Sequence, residues 1–533
     1  MAEPLLRPLS SLLENPPMRT RISELTRTVD SHGLFDFGKA CYGQLEIEIS
    51  PTPGRGDLFE VVLGECAANG HVAYTGGFRT FRQFTFTLVP GQSVYPIPLP
   101  PHLPAYGAGM PHFPAPPECQ GEVTVFRYVE VNHCWGTRVT VRRKEFYNDV
   151  PEEASRFHSS QLALDQVWEF CRHTLLATSI FPCYLDGERE RMPYEGDAYI
   201  TQLSHFCCGN DYTIARNTIQ HFLDHGDKTW PTEWLLCTPF LVRDYLLYSG
   251  DHQSVQAWLP HLPQKLLPQH FREDGLLAPT GFVRDIVDWP PGERDGYEMG
   301  TANFVPNAYA YGAMKVMAEL TGDEAYLRRA EALKTAIFRA FRDTGGGFVD
   351  SVGSRHTALH TAVFALRFGL AEGDEAERCR GILREKGMAC SVYAAQFLLE
   401  SCFRGGLDDL GVALITSRGE RSWLHMMEQG ATITMEAWDD QRKRNQDWSH
   451  PWGAAPGNII PRFLVGVRPL APGFRRFQVK PSPAAPASLV FRQPTPFGAI
   501  LVQKEGDKVE VSLQETSLTL RETALGEYQV GES

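Results

Sequence analysis

The sequence predicts a mainly α-helical protein, an (α/α)6 toroid flanked by an N-terminal β-sandwich and a small C-terminal β-sandwich. Three observations predict this fold. Apolar residues alternate with polar residues before about residue 155, recur with a helical period from there to about residue 466, and alternate again afterwards. The predicted regions are an N-terminal extension (1–34), a β-sandwich (35–154), the helical domain (155–466) and a C-terminal β-sandwich (467–533).

The first β region is predicted from patterns of period two. Apolar residues alternate with glutamates over residues 45–49 and with threonines over residues 84–88, and a further strand pattern covers residues 123–129. The segment from Pro90 to Pro117 contains ten prolines. Proline lacks the N–H group that a strand donates, so we expect an irregular crossing there between the strands of an antiparallel sandwich.

The central region has the residue spacing of amphipathic helices. Leu164, Val167, Trp168, Cys171 and Leu175 lie at positions i, i+3, i+4, i+7 and i+11, on one face of a helix. About a dozen such segments reach residue 466, enough for six helical hairpins and far more than a four-helix bundle needs. The clearest segments cover residues 197–208, 211–224, 234–249, 300–321, 323–342, 357–370, 390–404 and 450–465.

After residue 466 the alternating pattern returns. Strand patterns cover residues 477–479, 499–502 and 509–513, with turns at Gly498 and at residues 505–507. A region of about 65 residues suits a small sandwich that caps the helical domain.

Composition and charge restrict the class of partner. Asp and Glu (64) outnumber Lys and Arg (51), so the net charge is −13 and a nucleic acid is excluded as the main partner. No run approaches 18 apolar residues and no secretion signal is recognised, so we expect no membrane contact and a cytoplasmic location. The 12 cysteines are scattered without a CxxC pair, which favours reduced, buried thiols. No metal-binding spacing or cofactor motif is recognised, so no metal and no cofactor are expected, and the oligomeric state stays open.

The most unusual segment is the loop from residue 186 to residue 197. It holds five carboxylates and two arginines in 12 residues, and Gly187, Pro193 and Gly196 interrupt any continuous helix. Besides an active site, three structural interpretations stay open. Asp197 would cap a helix that starts near it, the arginines beside Glu190 would form a surface ion-pair network, or the whole loop would be solvated.

A second candidate is Glu436, a single carboxylate between an apolar run and Trp438. Desolvation in such surroundings shifts the pKa of a carboxyl group, as an acid–base catalyst requires. The structural alternative is an ion pair with Lys443 or Arg444.

Tryptophans beside acidic residues or histidine recur in the loops at residues 232–234, 288–291 and 447–453. An indole ring stacks on the apolar face of a sugar while carboxylates bind its hydroxyl groups. Cleavage of a glycosidic bond needs one carboxylic acid to protonate the leaving oxygen and one carboxylate to activate water or attack the anomeric carbon. Two loops that are distant in sequence, and that each place a Glu in one site, would meet this need.

Two motifs resemble those of a known enzyme family. The loop from Asp186 to Asp197, and the segment Glu436-Ala437-Trp438-Asp439 followed by Ser449-His450, resemble the α-L-rhamnosidases of glycoside hydrolase family 78, which are six-hairpin enzymes. Residues 35–38, 64–65 and 354–360 extend the resemblance over nearly the whole chain.

The resemblance implies an inverting hydrolase that removes terminal non-reducing α-L-rhamnose from a carbohydrate. By this resemblance Glu190 matches the general acid, and Glu436 matches the general base that activates water. The residues implied to bind the sugar are Asp186, Arg189, Asp197, Asp288, Trp289, Trp438 and His450. The chain is short for the family, so we expect a small glycoside or oligosaccharide as substrate.

Departures from the family pattern leave other hypotheses open. The loop reads Met-Pro-Tyr-Glu-Gly-Asp over residues 192–197 where a version with tryptophan is common, and Glu188 and Glu195 are further candidates for the acid. The alternatives are a six-hairpin glycosidase for a glucoside, a uronide or another deoxysugar, and a non-catalytic carbohydrate-binding protein.

Overall fold

The protein is described from a computed structural model, which covers residues 13–50, 58–73, 81–103, 113–133, 136–225 and 229–531. The first twelve residues of the predicted extension, and residues 104–112 of the proline-rich segment, lie outside the described residues.

The N-terminal region contains a seven-stranded antiparallel sheet and a two-stranded hairpin. Its strands are β1 (Met18–Val29), β2 (His32–Ser50), β3 (Leu58–Gly64), β4 (Ala67–Ala68), β5 (His71–Val72), β6 (Phe81–Thr87), β7 (Val94–Pro96), β8 (Thr124–Asn132) and β9 (Thr137–Asn148). The order is β1-β9-β2-β8-β3-β6, with β7 beside β2, while β4 and β5 form a separate hairpin. Leu45, Ile47 and Ile49 are buried, as their alternation with glutamates predicts.

The predicted boundary at residue 35 is wrong, because the sheet begins earlier. Strand β1 lies in the predicted extension and pairs with β9 from Met18 to Val29. It is an edge strand with mostly polar residues on both faces, and nearly all of them are exposed. An edge strand of this composition lacks the alternation by which the other strands were recognised.

The central region is helical. Its helices are α1 (Leu162–Thr178), α2 (Glu195–His205), α3 (Thr213–Asp224), α4 (Thr232–Leu235), α5 (Thr238–Ser249), α6 (His252–Trp258), α7 (Leu262–Lys265), α8 (Phe304–Thr321), α9 (Glu324–Phe341), α10 (Leu359–Arg367), α11 (Gly373–Lys386), α12 (Val392–Arg404), α13 (Asp408–Ile415), α14 (Trp423–Glu428) and α15 (Pro456–Ile459). A π-helical turn, Ile460–Val465, continues α15. Within the described residues, no helix combines the length and apolar character that a membrane span requires.

Six of these helices contact one another in a closed series. Each of α2, α5, α8, α10, α12 and α15 contacts the next, and α15 contacts α2. Every residue of α2 is buried, whereas α9 buries only one face, with Leu333, Ile337 and Phe341. Helix α9 packs against α8, α11 against α10 and α13 against α12. Gly322 ends α8 in the left-handed region (φ 70°), and Asp323 caps α9.

The C-terminal region consists of two four-stranded antiparallel sheets. Its strands are β10 (Arg156–Ser159), β11 (Val467–Pro469), β12 (Arg476–Val479), β13 (Ser488–Thr495), β14 (Gly498–Glu505), β15 (Lys508–Gln514), β16 (Thr519–Ala524) and β17 (Glu527–Gly531). The sheet orders are β10-β13-β14-β15 and β11-β12-β17-β16. Strand β10 lies within the predicted helical domain and pairs with β13. It was not predicted, because a strand of four residues is too short to show a period.

Candidate active site

A cavity of about 160 Å³ opens among the loops that precede α2 and α4 and the loop that follows α14. It is lined by Asp186, Arg189, Glu190, Tyr194, Asp197, Trp230, Trp234, Ile286, Trp289, Glu436, Lys443, Asn445, His450 and Trp452. The two loops singled out in the sequence therefore meet in one place.

A tight turn shapes the first of these loops. The N–H group of Arg191 donates to the carbonyl of Gly187 (3.0 Å), and Arg191 has a φ of 50°, in the left-handed region. A Cβ atom at residue 187 would lie 2.4 Å from Oδ2 of Asp447. Glycine is therefore required where the two site loops approach each other.

The turn is anchored to the N-terminal sheet. Nε of Arg191 donates to Oε2 of Glu188 (2.8 Å), and Nη1 donates to Oε1 of Glu122 (2.7 Å). Glu188 is fully buried and also accepts a hydrogen bond from Thr124 in β8 (2.8 Å). The interpretations of this segment as a solvated loop or a surface ion-pair network are therefore wrong, because its charges are paired inside the protein.

The two predicted catalytic carboxylates share one guanidinium group. Nη1 of Arg189 lies 2.6 Å from Oε1 of Glu190, and Nη2 lies 3.4 Å from Oε2 of Glu436. Tyr194 donates its hydroxyl proton to Oε2 of Glu190 (3.1 Å). Glu190 and Glu436 thus face the same cavity, and each contacts a different terminal nitrogen of the Arg189 guanidinium group.

Glu436 is held in its ionised form. Nζ of Lys443 lies 2.9 Å from Oε1 of Glu436, so the ion pair considered in the sequence analysis exists, but within the cavity wall. Burial opposes ionisation of Glu436, yet the charges of His450, Lys443 and Arg189 outweigh it and lower its pKa below the ordinary value. A buried carboxylate kept ionised in this way can accept a proton from water.

Asp197 pairs with His450 across the site. Nε2 of His450 lies 2.9 Å from Oδ1 of Asp197, a contact between residues 253 positions apart. Burial opposes protonation of His450, but the hydrogen bond to Asp197 and the nearby carboxylate of Asp447 (3.9 Å) outweigh it and raise its pKa to about 10. The side chain of Asp197 does not cap α2, whose N-cap residue is Tyr194, so the capping interpretation is wrong.

Asp186 is a buried carboxyl group at the floor of the site. Its Oδ1 accepts a hydrogen bond from the backbone N–H of Met192 (2.9 Å). Burial, and then the charge of Glu190, raise the pKa of Asp186 well above the ordinary value, although His450 opposes this. Burial likewise raises the pKa of Asp197. The site therefore contains carboxyl groups with opposite pKa shifts, which is typical of acid–base catalysis.

Glu436, Asp447 and His450 lie close enough together to surround a metal ion. The donor set does not suit one, because the raised pKa keeps His450 protonated and a metal ligand must be the neutral imidazole. Lys443 and Arg189 already supply positive charge to the same carboxylates.

Aromatic side chains form much of the remaining wall. The tryptophans that line the cavity are Trp230, Trp234, Trp289 and Trp452. Nε1 of Trp452 donates to the carbonyl of Glu436 (3.0 Å), which fixes the indole next to the proposed base. These faces offer the apolar platform on which a sugar ring stacks.

Two predicted sugar-binding residues, Asp288 and Trp438, lie outside the cavity lining. Asp288 is fully buried and accepts hydrogen bonds from His360 (2.7 Å) and from the backbone N–H of Ser391 (2.9 Å), so it joins its loop to α10 and α12. Trp438 is fully buried, and its Nε1 donates to the carbonyl of Cys390 (2.8 Å). Both residues stabilise the loops behind the site.

The other predicted residues lie in the cavity wall: Asp186, Arg189, Glu190, Asp197, Trp289, Glu436 and His450. The alternative acids do not, because Glu188 pairs with Arg191 and Glu195 pairs with Lys265 (3.2 Å). Sequence reasoning missed Tyr194, Asn445 and Trp230 as wall residues, and it treated Lys443 as a structural partner only. The sequence did offer a signal for these residues. Tyr194 lies inside the first loop, Asn445 lies between Asp439 and Ser449, and Trp230 is four residues before Trp234.

Comparisons with known proteins identify the family of this chain. The model of the bacterial α-L-rhamnosidase six-hairpin glycosidase domain matches residues 152–464. An α-L-rhamnosidase from Formosa agariphila is 25% identical over 278 residues, which are 48% of this chain and 29% of that protein. The chain thus matches less than a third of that relative.

Solved rhamnosidases share the fold. The family 78 enzyme of Bacillus sp. GL1 has a TM-score of 0.75 and 18% identity, over 91% of this chain and 52% of that chain. The Klebsiella oxytoca enzyme has a TM-score of 0.67 and 14% identity, over 84% and 96%. The Streptomyces avermitilis enzyme has a TM-score of 0.74 and 16% identity, over 97% and 53%. Because the family model covers more than half of its residues, the chain belongs to the bacterial α-L-rhamnosidase six-hairpin glycosidase family.

Proposed function

We propose that the protein is an inverting α-L-rhamnosidase that removes terminal non-reducing rhamnose from small glycosides. The observation that carries this proposal is the contact of Arg189 with both Glu190 and Glu436 at one cavity. Two carboxyl groups at the two ends of one guanidinium are close enough to act on a single glycosidic bond. Family membership, and the rhamnose bound in the K. oxytoca and S. avermitilis structures, support rhamnose as the sugar.

In the proposed reaction, Glu190 donates its proton to the glycosidic oxygen as the bond from that oxygen to the anomeric carbon breaks. Glu436 accepts a proton from a water molecule, whose oxygen forms the new bond to the anomeric carbon from the opposite face. The lowered pKa of Glu436 supports its role as the base. Glu190 then takes up a proton from solvent and Glu436 releases one, which restores the starting state.

Asp197 is proposed to bind a sugar hydroxyl. His450 occupies Oδ1 of Asp197, while the buried Oδ2 has no hydrogen-bond partner among the described residues. A buried carboxylate oxygen without a donor costs free energy, which a substrate hydroxyl would recover on binding. Trp289 and Trp452 would cover the apolar face of the same ring.

We also propose the finer architecture that the sequence predicts. The closed series of six helices and the helices packed against them support an (α/α)6 toroid. The two C-terminal sheets, and the long strand β2 that pairs with both β8 and β9, support sandwiches on either side. Leaving Cys66 aside, the other ten described cysteines are buried and form no disulfide bond, which supports a reducing location such as the cytoplasm.

The substrate is tested with a panel of chromogenic glycosides. We expect turnover of an α-L-rhamnoside and none of α-D-glucosides or β-D-glucuronides. Turnover of a different sugar alone would overturn the rhamnose assignment and favour the second candidate, another six-hairpin glycosidase. Sugar binding by calorimetry without hydrolysis of any glycoside would instead indicate a non-catalytic binding protein.

The mechanism is tested by the anomer first released and by two variants. Inversion predicts β-L-rhamnose as the first product in proton NMR, whereas release of the α-anomer would indicate retention. Glu190→Gln and Glu436→Gln should each lower kcat by about 100-fold or more. Glu324→Gln, at an exposed position of α9, is the matched control and should leave kcat unchanged.

A further inference from the structure

A second cluster of ligating side chains lies on the N-terminal sheet, and none of its members lines the cavity. Nδ1 of His71 in β5 lies 3.0 Å from Oε1 of Glu130 in β8, and Nδ1 of His32 at the start of β2 lies 3.4 Å from the same oxygen. The two imidazole rings are 4.3 Å apart. Oδ1 of Asn132 is a fourth potential ligand atom, 2.9 Å from Nδ1 of His32.

The carboxylate at the centre of this cluster is fixed before any ligand binds. Glu130 is buried, and its Oε2 accepts a hydrogen bond from the backbone N–H of Val72 (2.8 Å). Its Oε1 faces the two histidines, which are partly exposed at the surface. A buried carboxylate below two accessible imidazoles gives a site that solvent ions can reach.

The hydrogen bonds of His32 point to a cation. Its Nε2 lies 2.9 Å from the carbonyl of Gly70, which can only accept, so Nε2 carries a proton. Its Nδ1 faces Oδ1 of Asn132 and Oε1 of Glu130, which are also acceptors. A neutral imidazole has a single N–H group, so a second proton or a cation is needed between Nδ1 and these oxygens.

The orientation of Asn132 strengthens this argument. Its Nδ2 donates to Oε2 of Glu60 (2.9 Å) and to Oε1 of Glu130 (3.0 Å), so the amide oxygen is the atom that faces His32. Turning the amide around would place its nitrogen toward His32 but would lose both of these hydrogen bonds.

We propose that His32, His71 and Glu130 bind a divalent transition metal, Zn²⁺ in the simplest case, with Oδ1 of Asn132 or water as the fourth ligand. Two imidazoles and a carboxylate are a donor set that zinc uses in proteins. Zinc–ligand distances of about 2.0–2.2 Å place tetrahedral ligands roughly 3.3–3.6 Å apart, close to the separations here. The carbonyl of Gly70 on His32 supplies the outer hydrogen bond that usually orients a metal-binding histidine.

The metal would join three segments that are distant in sequence. His32 and Asn132 are 100 residues apart, so no metal-binding spacing is visible in the sequence and none was expected there. Binding would fasten the β4–β5 hairpin to β2 and β8 and would stabilise the folded N-terminal sheet by mass action. This inference does not depend on the proposed rhamnosidase activity.

The test is calorimetric titration of the full chain with ZnCl₂, together with the visible spectrum of the Co²⁺ form. We expect one Zn²⁺ per chain, a rise in Tm, and the intense absorption of tetrahedral Co²⁺. His71→Ala should weaken zinc binding by about 100-fold or more. His158→Ala is the matched control, because His158 is also exposed and paired with a carboxylate, Asp165 (2.7 Å), and it should bind zinc like the unmodified protein.

A second variant keeps the result independent of folding. His32→Gln and His71→Ala should both lose zinc while keeping the circular dichroism spectrum of the unmodified protein. Absence of zinc binding in the unmodified protein would show that a second proton, not a metal, occupies the cluster and would overturn the proposal. Zinc binding that survives in both variants would place the ion elsewhere, for example at Glu436, and would overturn it equally.

Discussion

Lys443 places its Nζ atom 2.9 Å from Oε1 of Glu436, so the proposed general base has a permanent positive charge beside it. Both side chains are nearly buried, and the ammonium group lowers the pKa of Glu436 together with His450 and Arg189. A base with a low pKa stays active in acid, because it loses its charge only at a pH below its pKa.

Removal of this charge should move the acid limb of the activity profile. In Lys443→Met the pKa of Glu436 rises, so the acid limb of kcat/KM should shift to higher pH. Lys443→Arg keeps the charge and serves as the control. The measurement is kcat/KM as a function of pH, and an acid limb that stays in place in Lys443→Met would refute the role of Glu436 as the titrating base.

The raised pKa of His450 predicts a stability that falls in alkali. The folded state binds a proton at His450 up to about pH 10, whereas the unfolded chain releases it near pH 6.5. The contribution is fully present below pH 6.5 and is lost as the pH rises toward 10, with a slope of up to about 1.4 kcal/mol per pH unit. The free energy of unfolding of His450→Asn, measured by denaturant titration, should lack this decline. An equal decline in both proteins would contradict the assignment.

The buried pair of Glu188 and Arg191 should matter for stability. Arg191→Met removes the nearest positive charge from the buried carboxylate of Glu188 and leaves only the longer ion pair with Arg82 (3.7 Å), so we expect a loss of about 3–5 kcal/mol in the free energy of unfolding. The double variant Glu188→Gln/Arg191→Met should recover part of this loss. Arg384→Met, in an exposed ion pair with Glu377, is the control and should cost less than about 1 kcal/mol. Similar losses for Arg191→Met and Arg384→Met would show that the buried pair is not an anchor.

Two tryptophans of the predicted sugar-binding set, Trp289 and Trp438, should respond differently to substitution. Trp289 lines the cavity, so Trp289→Ala should raise KM while the protein stays folded. Trp438 is fully buried behind the site, so Trp438→Ala should lower the free energy of unfolding by about 3–5 kcal/mol. Steady-state kinetics and denaturant unfolding separate the two effects. A stable Trp438→Ala variant with a raised KM would restore Trp438 as a sugar-binding residue.

Much of the architecture is determined by local patterns in the sequence. A helix or strand that buries one face must repeat its apolar residues with its own period, so segments such as 162–178 and 45–49 are recognisable without a structure. The edge strand β1 escaped recognition because its residues are exposed on both faces and carry no such period.

The two loops that meet at the cavity were also visible in the sequence, because clustered carboxylates and loop tryptophans are unusual in composition. Which neighbours face the cavity was not visible. Trp289 enters the wall, while the adjacent Asp288 turns inward to His360. In an irregular loop no periodicity relates a residue's place in the sequence to the direction of its side chain. Only the path of the backbone therefore decides which side chains face the cavity.

The sequence by itself therefore determined the order of the helical and β regions and singled out the two loops that carry Glu190 and Glu436, because these follow from local pattern and residue type. Only the tertiary structure decided the charges around them. Asp197 contacts His450, and Glu188 accepts a hydrogen bond from Thr124, and both contacts join residues that are distant in the chain. Electrostatic energy depends on distance in space and on burial, and both are properties of the folded chain.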